Sequence, residues 1–275
     1  MPRLTVEIYQ SLMDALTEHC AKNGESVRHF VERALSDELG LDHSTLFQVS
    51  TAGALVQGVH NKAVTVGELK THGDFGLGTF EGLDGEMIVV DGRFYHAHPD
   101  GSVTVPGDAA PVPYAVVTNF HPRHRAAVGP VASFAALTAE LDRMRRSDNL
   151  FFAVRLDGRF DEIHMRVACK VASGVSLTEA AARQAEFRLR DTQGTIVGFW
   201  SPTYSRSIAV TGWHLHFLSA DRGQGGHLLG CRAAHLEASA QDLDDLRLAI
   251  PETRQFLHAD LTRDPTAALD KAERA

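Results

Sequence analysis

From Leu46 onward, Gly, Asp and Pro cut the chain into short apolar runs, and this punctuation confines the fold to sheets of short strands. Residues 85–95 read as two strands joined by Asp91-Gly92, a turn pair that favours a tight hairpin. Strands are also expected at residues 151–156, 163–171, 195–200 and 208–218. The clearest helix is residues 132–147, where Phe134, Leu137, Leu141 and Met144 recur at spacings of three and four; residues 176–184 are a second helical stretch. Strands outnumber helices and no βαβ alternation is sustained, so the expected class is α+β: two packed, mixed or antiparallel β-sheets with flanking helices.

The first forty residues have a different pattern. Leu4, Val6 and Ile8 alternate with Arg3, Thr5 and Glu7, the period-2 mark of a short strand over residues 3–8. Leu12, Ala15 and Leu16 then recur at helical spacing until Asn23-Gly24, and Ser26 is an N-cap for a helix carrying Val27, Phe30, Val31 and Leu35. This order resembles a ribbon-helix-helix module, a kind that dimerises through its strand and often binds DNA. Charge argues against DNA: Arg3, Lys22, Arg28 and Arg33 face seven acidic residues, a net −3 over residues 1–40, whereas phosphate contacts need cations. Residues 1–40 are therefore expected to serve a homodimer contact or to be inert, with a linker near residues 40–44.

Bulk properties exclude several classes. A chain of 275 residues with 44% apolar and 23% charged residues buries a core without disulfides. Its net charge of −8 disfavours nucleic acid and anionic membrane as partners, yet leaves room for a local cationic pocket that takes a small acid. Cys20, Cys169 and Cys231 are odd in number and far apart, which points to a reducing compartment. No N-terminal stretch resembles a signal peptide and no run approaches the roughly 20 apolar residues of a membrane span. The expected location is the cytoplasm.

Among 15 histidines, one cluster has ligand spacing. His214 and His216 stand two apart on an expected strand, so both imidazoles share a face, while Trp213, Leu215 and Phe217 take the other. A glycine-loaded return through Gly223, Gly225 and Gly226 brings His227 towards the pair. Three histidines with an open fourth position make a catalytic rather than a structural zinc site, and no cysteine lies within this segment to complete a tetrahedron. Imidazole also suits Fe, Ni, Cu or Mn. His72, His96, His98, His121 and His124 lie in loop-like sequence and are read as non-ligands.

Five stretches then occur in order: Phe47-Gln48-Val49-Ser50-Thr51, residues 72–80 (His72-Gly73-Asp74-Phe75-Gly76-Leu77-Gly78-Thr79-Phe80), Leu83-Asp84-Gly85-Glu86, residues 194–202 from Gly194-Thr195 to Ser201-Pro202, and the histidine segment. Together they resemble the acetolactate decarboxylase family over about residues 46–261. The resemblance implies conversion of 2-acetolactate to acetoin and carbon dioxide, on the route to butanediol, with Zn2+ held by His214, His216 and His227. It places the family's acidic residue on Glu86, its threonine on Thr79, its arginine on Arg166 and its C-terminal glutamate on Glu273. Arg166 is followed by Val167-Ala168-Cys169 where the family usually has Ser or Thr, then Val and Pro, so Arg155 and Arg159 remain alternatives. The implied organisation is an extension (1–40), a catalytic core (41–262) and a tail (263–275) that carries Glu273.

The residue types suit that chemistry. Losing carbon dioxide from a β-keto acid leaves an enediolate, whose developing charge a Lewis-acidic metal stabilises. Arg166 matches the substrate carboxylate in bidentate geometry. Glu86 is the expected general acid, with Glu273 as second candidate or relay. Two other readings stand beside this one: a metabolite-sensing DNA-binding regulator built on residues 3–38, and a cupin-like metal barrel, which also uses His-x-His.

Overall fold

The computed structural model describes residues 5–24, 26–39 and 44–274, and the chain divides into two compact units, residues 1–43 and 44–275. The first unit holds two helices, Gln10–Asn23 and Val27–Leu39. Gly24, at φ +69°, ends the first by donating its N–H to the Cys20 carbonyl. The helices meet where the rings of His19 and Phe30 lie edge-on at 5.0 Å. The strand expected at residues 3–8 is corrected in its described part: residues 5–9 form neither strand nor helix, and residues 3 and 4 lie outside the described residues. A ribbon needs a second strand to satisfy its N–H and C=O groups, and none stands beside this segment among the described residues. The expected linker also falls mostly outside the described residues.

The second unit is built from two packed sheets. The first has seven strands in the order Asp245–Ala249, Thr45–Val49, Tyr114–Thr118, Phe75–Thr79, Glu86–Val90, Arg93–Ala97 and Val103–Thr104. Asp245–Ala249 runs parallel to Thr45–Val49 and the rest are antiparallel, so the sheet is mixed. Asp91 and Gly92, both at positive φ, form the hairpin turn the Asp-Gly pair announces. All five residues of Glu86–Val90 are buried because both faces are covered. Ile88 and Val90 pack against the second sheet, while Met87 and Val89 face a separate cluster with Phe47, Leu69 and Phe94.

The second sheet orders Ala185–Ser201, Gly212–Ser219, Gly225–Arg232, Phe151–Val167, Leu236–Leu243 and His124–Val128. Phe151–Val167 also pairs with Ala185–Ser201, so the first four strands close into a circuit. Inside it, Phe160 meets Phe217 edge-on at 5.5 Å, with Leu156, Ile196 and Leu215 around them. The sequence pattern separates strands at 151–156 and 163–171, but the backbone runs through as one strand of 17 residues. Asp157-Gly158-Arg159 resembles a turn, yet Gly158 pairs opposite Gly194, where a side chain would strike the Phe217 ring. Ladder hydrogen bonds do not need apolar side chains, so a polar middle hides the continuity.

The helices also differ in extent from the expectation. Residues 132–147 reduce to Phe134–Asp142, capped by the Ser133 hydroxyl. The chain then turns so that Arg145 lies 3.5 Å above the Trp200 ring and pairs with Asp142 and Asp148. The Ala-rich tail after Asp264 forms a helix, Thr266–Arg274, whose Leu269 and Ala272 are buried. Because Phe217 is fully enclosed within the closed circuit, Phe217→Ala is expected to lower stability by about 3–5 kcal/mol, read as a shift of the urea midpoint at unchanged m-value.

Candidate metal centre

Strand register assembles the site. His214 and His216 project from one face of Gly212–Ser219, and His216 stands directly opposite His227 on the neighbouring strand. His227 in turn stands opposite Arg166. Three adjacent strands thus place His216, His227 and Arg166 in one row, with His214 two residues along. Gly226 permits the close approach, since a Cβ there would lie 2.6 Å from the Arg166 carbonyl oxygen. Leu215 and Phe217 face the opposite core, as alternation requires.

The donor set fits a metal. One ligand nitrogen from each of His214, His216 and His227 lies within 4.8 Å of the others. The Nε2 atoms of His214 and His216 are 3.2 Å apart, close to the roughly 3.3 Å that separates two nitrogens bound tetrahedrally at about 2.0–2.1 Å. The outer ring nitrogens are held by backbone: His216 Nδ1–H donates to the Met87 carbonyl at 2.9 Å, and His227 Nε2–H donates to that of Glu273 at 3.1 Å. These bonds fix the tautomers and leave His216 Nε2 and His227 Nδ1 as inward lone pairs.

Burial sets the charge state. It holds His214 and His216 neutral, lowered to about 3, with the Arg166 cation adding to the effect on His214 and a neighbouring imidazole adding to that on His216. His227 is lowered for the same reason, burial first and then Arg166. Neutral imidazole is the form that binds a metal.

Carboxylates and a guanidinium surround the cluster. Glu86 begins its strand opposite Thr79; its Oε2 is 3.7 Å from His216 Nε2, and its Oε1 accepts the Ala168 N–H at 3.1 Å. Burial raises its pKa to about 7 against the pull of Arg166 and the Ala168 amide. Glu273 arrives from the C-terminal helix, one turn beyond Leu269 and hence on the same inward face. Its Oε2 lies 3.3 Å from Arg166 Nη2, 3.5 Å from His227 Nδ1 and 3.7 Å from His214 Nε2. Arg166 also donates from Nη1 to Gln184, while its buried Nε has no hydrogen-bond partner. A cavity is lined by Thr79, Glu86, Arg166, His214, His227 and Glu273, with Leu55, Leu83, Leu177 and Val210 as its apolar wall.

A family model described as alpha-acetolactate decarboxylase matches residues 46–263. The chain belongs to this family. The decarboxylase of Methylococcus capsulatus is 38% identical over 236 residues, which cover 86% of this chain and 91% of that protein. That of Bacillus licheniformis is 35% identical over 230 residues, covering 83% and 91%. The crystal structure of the enzyme from Bacillus subtilis strain 168 superposes with a TM-score of 0.81 at 32% identity, covering 84% of this chain and all of that one.

All seven residues drawn from the sequence and the family motifs lie together around this cluster. The alternatives to Arg166 lie elsewhere: Arg155 is bound between Asp91 and Asp157, and Arg159 pairs with Asp191. Thr79 donates its hydroxyl to the Gly85 carbonyl at 2.7 Å while also lining the cavity. Gln184 and Tyr114 line the cavity too, and nothing in the sequence marks either as a site residue. Gln184 carries no local signal; Tyr114 begins the apolar strand Tyr114–Thr118 and reads as core.

A pH signature follows for metal-stripped protein. Each histidine binds its proton more weakly when folded than its usual 6.5, so stability present above pH 6.5 is lost as pH falls. Glu86 has the opposite sign: its contribution is present below about 4.5 and is lost as pH rises through about 7. With three groups against one, the urea midpoint is expected to drop between pH 6.5 and 4, and His214→Phe to flatten that slope. A flat wild-type profile would count against buried neutral imidazoles.

Proposed function

We propose that the protein decarboxylates 2-acetolactate to acetoin and carbon dioxide, with zinc bound by His214, His216 and His227. The observation that carries this is a cluster of three neutral imidazoles, two of which, His214 and His227, line one cavity with Arg166 and Glu86, in a chain of this family. A cation held by three imidazoles supplies Lewis-acid stabilisation of negative charge on substrate oxygens.

The chain's own residues supply the rest. Arg166 receives the carboxylate, for which its unpaired buried Nε speaks; Gln184 and Glu273 hold the two Nη groups, which limits the guanidinium to orienting the acid. When the bond to the carboxylate carbon breaks, its electron pair passes to the neighbouring ketone. The carbon left behind takes a proton from Glu86, whose raised pKa keeps that proton available near neutrality. Glu273, between Arg166 and the imidazoles, suits the relay role. Leu55, Leu177 and Val210 exclude water and face the methyl groups of a small keto acid. The family match lies wholly within residues 46–263 and lends the DNA-binding reading no support.

Purified protein is expected to hold about one zinc per chain and to release acetoin from fresh racemic acetolactate. His216→Ala should lose the metal; Glu86→Gln should keep it and lose turnover by roughly 10²–10⁴-fold. A metal-replete enzyme that forms no acetoin overturns the assignment, and metal loss in Glu86→Gln makes Glu86 a ligand instead.

We also infer a cytoplasmic homodimer. The free thiols Cys20, Cys169 and Cys231 suit a reducing compartment, and among the described residues no helix is long and apolar enough to cross a membrane. In the first unit Val6, Ile8, Tyr9 and Leu12 are exposed; exposed apolar side chains gathered in one segment mark a contact surface, and a second copy would cover them. Sedimentation should show a dimer for the native chain and a monomer for Ile8→Lys. A wild-type monomer rejects the pairing.

A further inference from the structure

The turn that aims Glu86 is strained and externally tied. Leu83 is buried yet adopts φ +55°, and Gly85 has φ +83°. A residue as bulky as leucine holds that conformation only where its surroundings over-determine it. Four contacts do so. Thr79 Oγ1 donates to the Gly85 carbonyl, the Gly85 N–H donates to the Ala168 carbonyl at 3.1 Å, Lys170 pairs with Asp84 at 3.1 Å, and His96 Nε2 bonds the Asp84 carbonyl at 2.5 Å.

Thr79 and Ala168 line the cavity, and Lys170 follows three residues after the strand that carries Arg166. His96 comes from the far side, on Arg93–Ala97, and does not line the cavity. Its ring is clamped between Phe80 and His98, each at 3.8 Å between centroids. Because the Asp84 carbonyl can only accept, the bond requires a proton on Nε2. The ring also fixes the identity of Gly85, whose Cβ would lie 2.8 Å from His96 Nε2 and 2.2 Å from the Ala97 carbonyl oxygen.

We propose that His96 is a positioning residue for Glu86, donating Nε2–H to the Asp84 carbonyl and so locking the turn of residues 83–85 that delivers the Glu86 carboxyl to the reacting carbon. Burial keeps the imidazole in its neutral form, consistent with a single directed donor. This rests on Glu86 as the proton donor. The expected consequence is selective: loosening the turn misaims the proton without touching the imidazole cluster or Arg166. Protonation then slows and loses its preference for one face of the planar carbon.

The test is His96→Phe, which keeps the stack and removes the donor, beside His96→Gln, which restores an N–H. Zinc content, kcat, KM and the enantiomer ratio of acetoin are measured on each. His96→Phe is expected to keep its zinc and its KM, to lose kcat by roughly ten- to a hundredfold, and to give a less biased enantiomer ratio, with both partly recovered in His96→Gln. Wild-type kcat and enantiomer ratio in zinc-replete His96→Phe overturn the proposal, as does a loss of kcat that only tracks loss of zinc. Should His96→Phe not fold, His96→Met against His96→Gln reads the same bond, and equal kcat in that pair overturns it. Glu86→Gln separates the two ideas. If it turns over normally, the role of Glu86 fails; if it is inert while His96→Phe is unimpaired, only the present proposal fails.

Discussion

The site depends on one antiparallel pairing, in which His216 lies across from His227. Shifting that register by a single residue would turn His227 to the opposite face, because strand side chains alternate with a period of two. Several contacts hold the register. Leu215 and Phe217 are enclosed in the closed circuit, so sliding the strand would expose them. The neighbouring strand lies close enough to Phe151–Val167 that only glycine fits at 226. Apolar packing on one face therefore sets the geometry of the polar face.

The two sheets contribute different chemistry to the space between them. The second sheet presents the imidazoles and Arg166, and the first presents Thr79 and Glu86 as a cross-strand pair. The bond from His216 Nδ1 to the Met87 carbonyl joins the two, next to Glu86 in the chain. The Ala168 peptide joins them again: its carbonyl accepts from Gly85 and its N–H donates to Glu86. The C-terminal helix closes the arrangement, with Leu269 as its apolar anchor and Glu273 as its polar tip. Burial by all three parts keeps the histidines neutral and Glu86 protonated well above the usual carboxylate range.

Much of this was legible in the chain. The α+β class follows from short apolar runs without βαβ order, and the Asp91-Gly92 hairpin follows from turn chemistry. The ligand-like spacing of His214, His216 and His227 was visible because strand periodicity is a local property. Strand lengths were less legible: Asp157-Gly158-Arg159 carries turn residues, but pairing with residues 193–195 keeps it extended. The tail helix was hidden as well, since its apolar face is only Leu269 and a few alanines.

By itself, then, the sequence determined the class of fold, the face on which the histidines lie and the residues able to form a cluster, because each depends on neighbours a few positions away. Only the tertiary structure decided that Arg166 rather than Arg155 or Arg159 stands beside the imidazoles, and that Gln184 and Glu273 engage it. It likewise decided that His96, without a site signature of its own, grips the turn before Glu86. Those choices depend on strand register and on burial, which join residues far apart in the chain and create the low-dielectric setting that gives each charge its meaning.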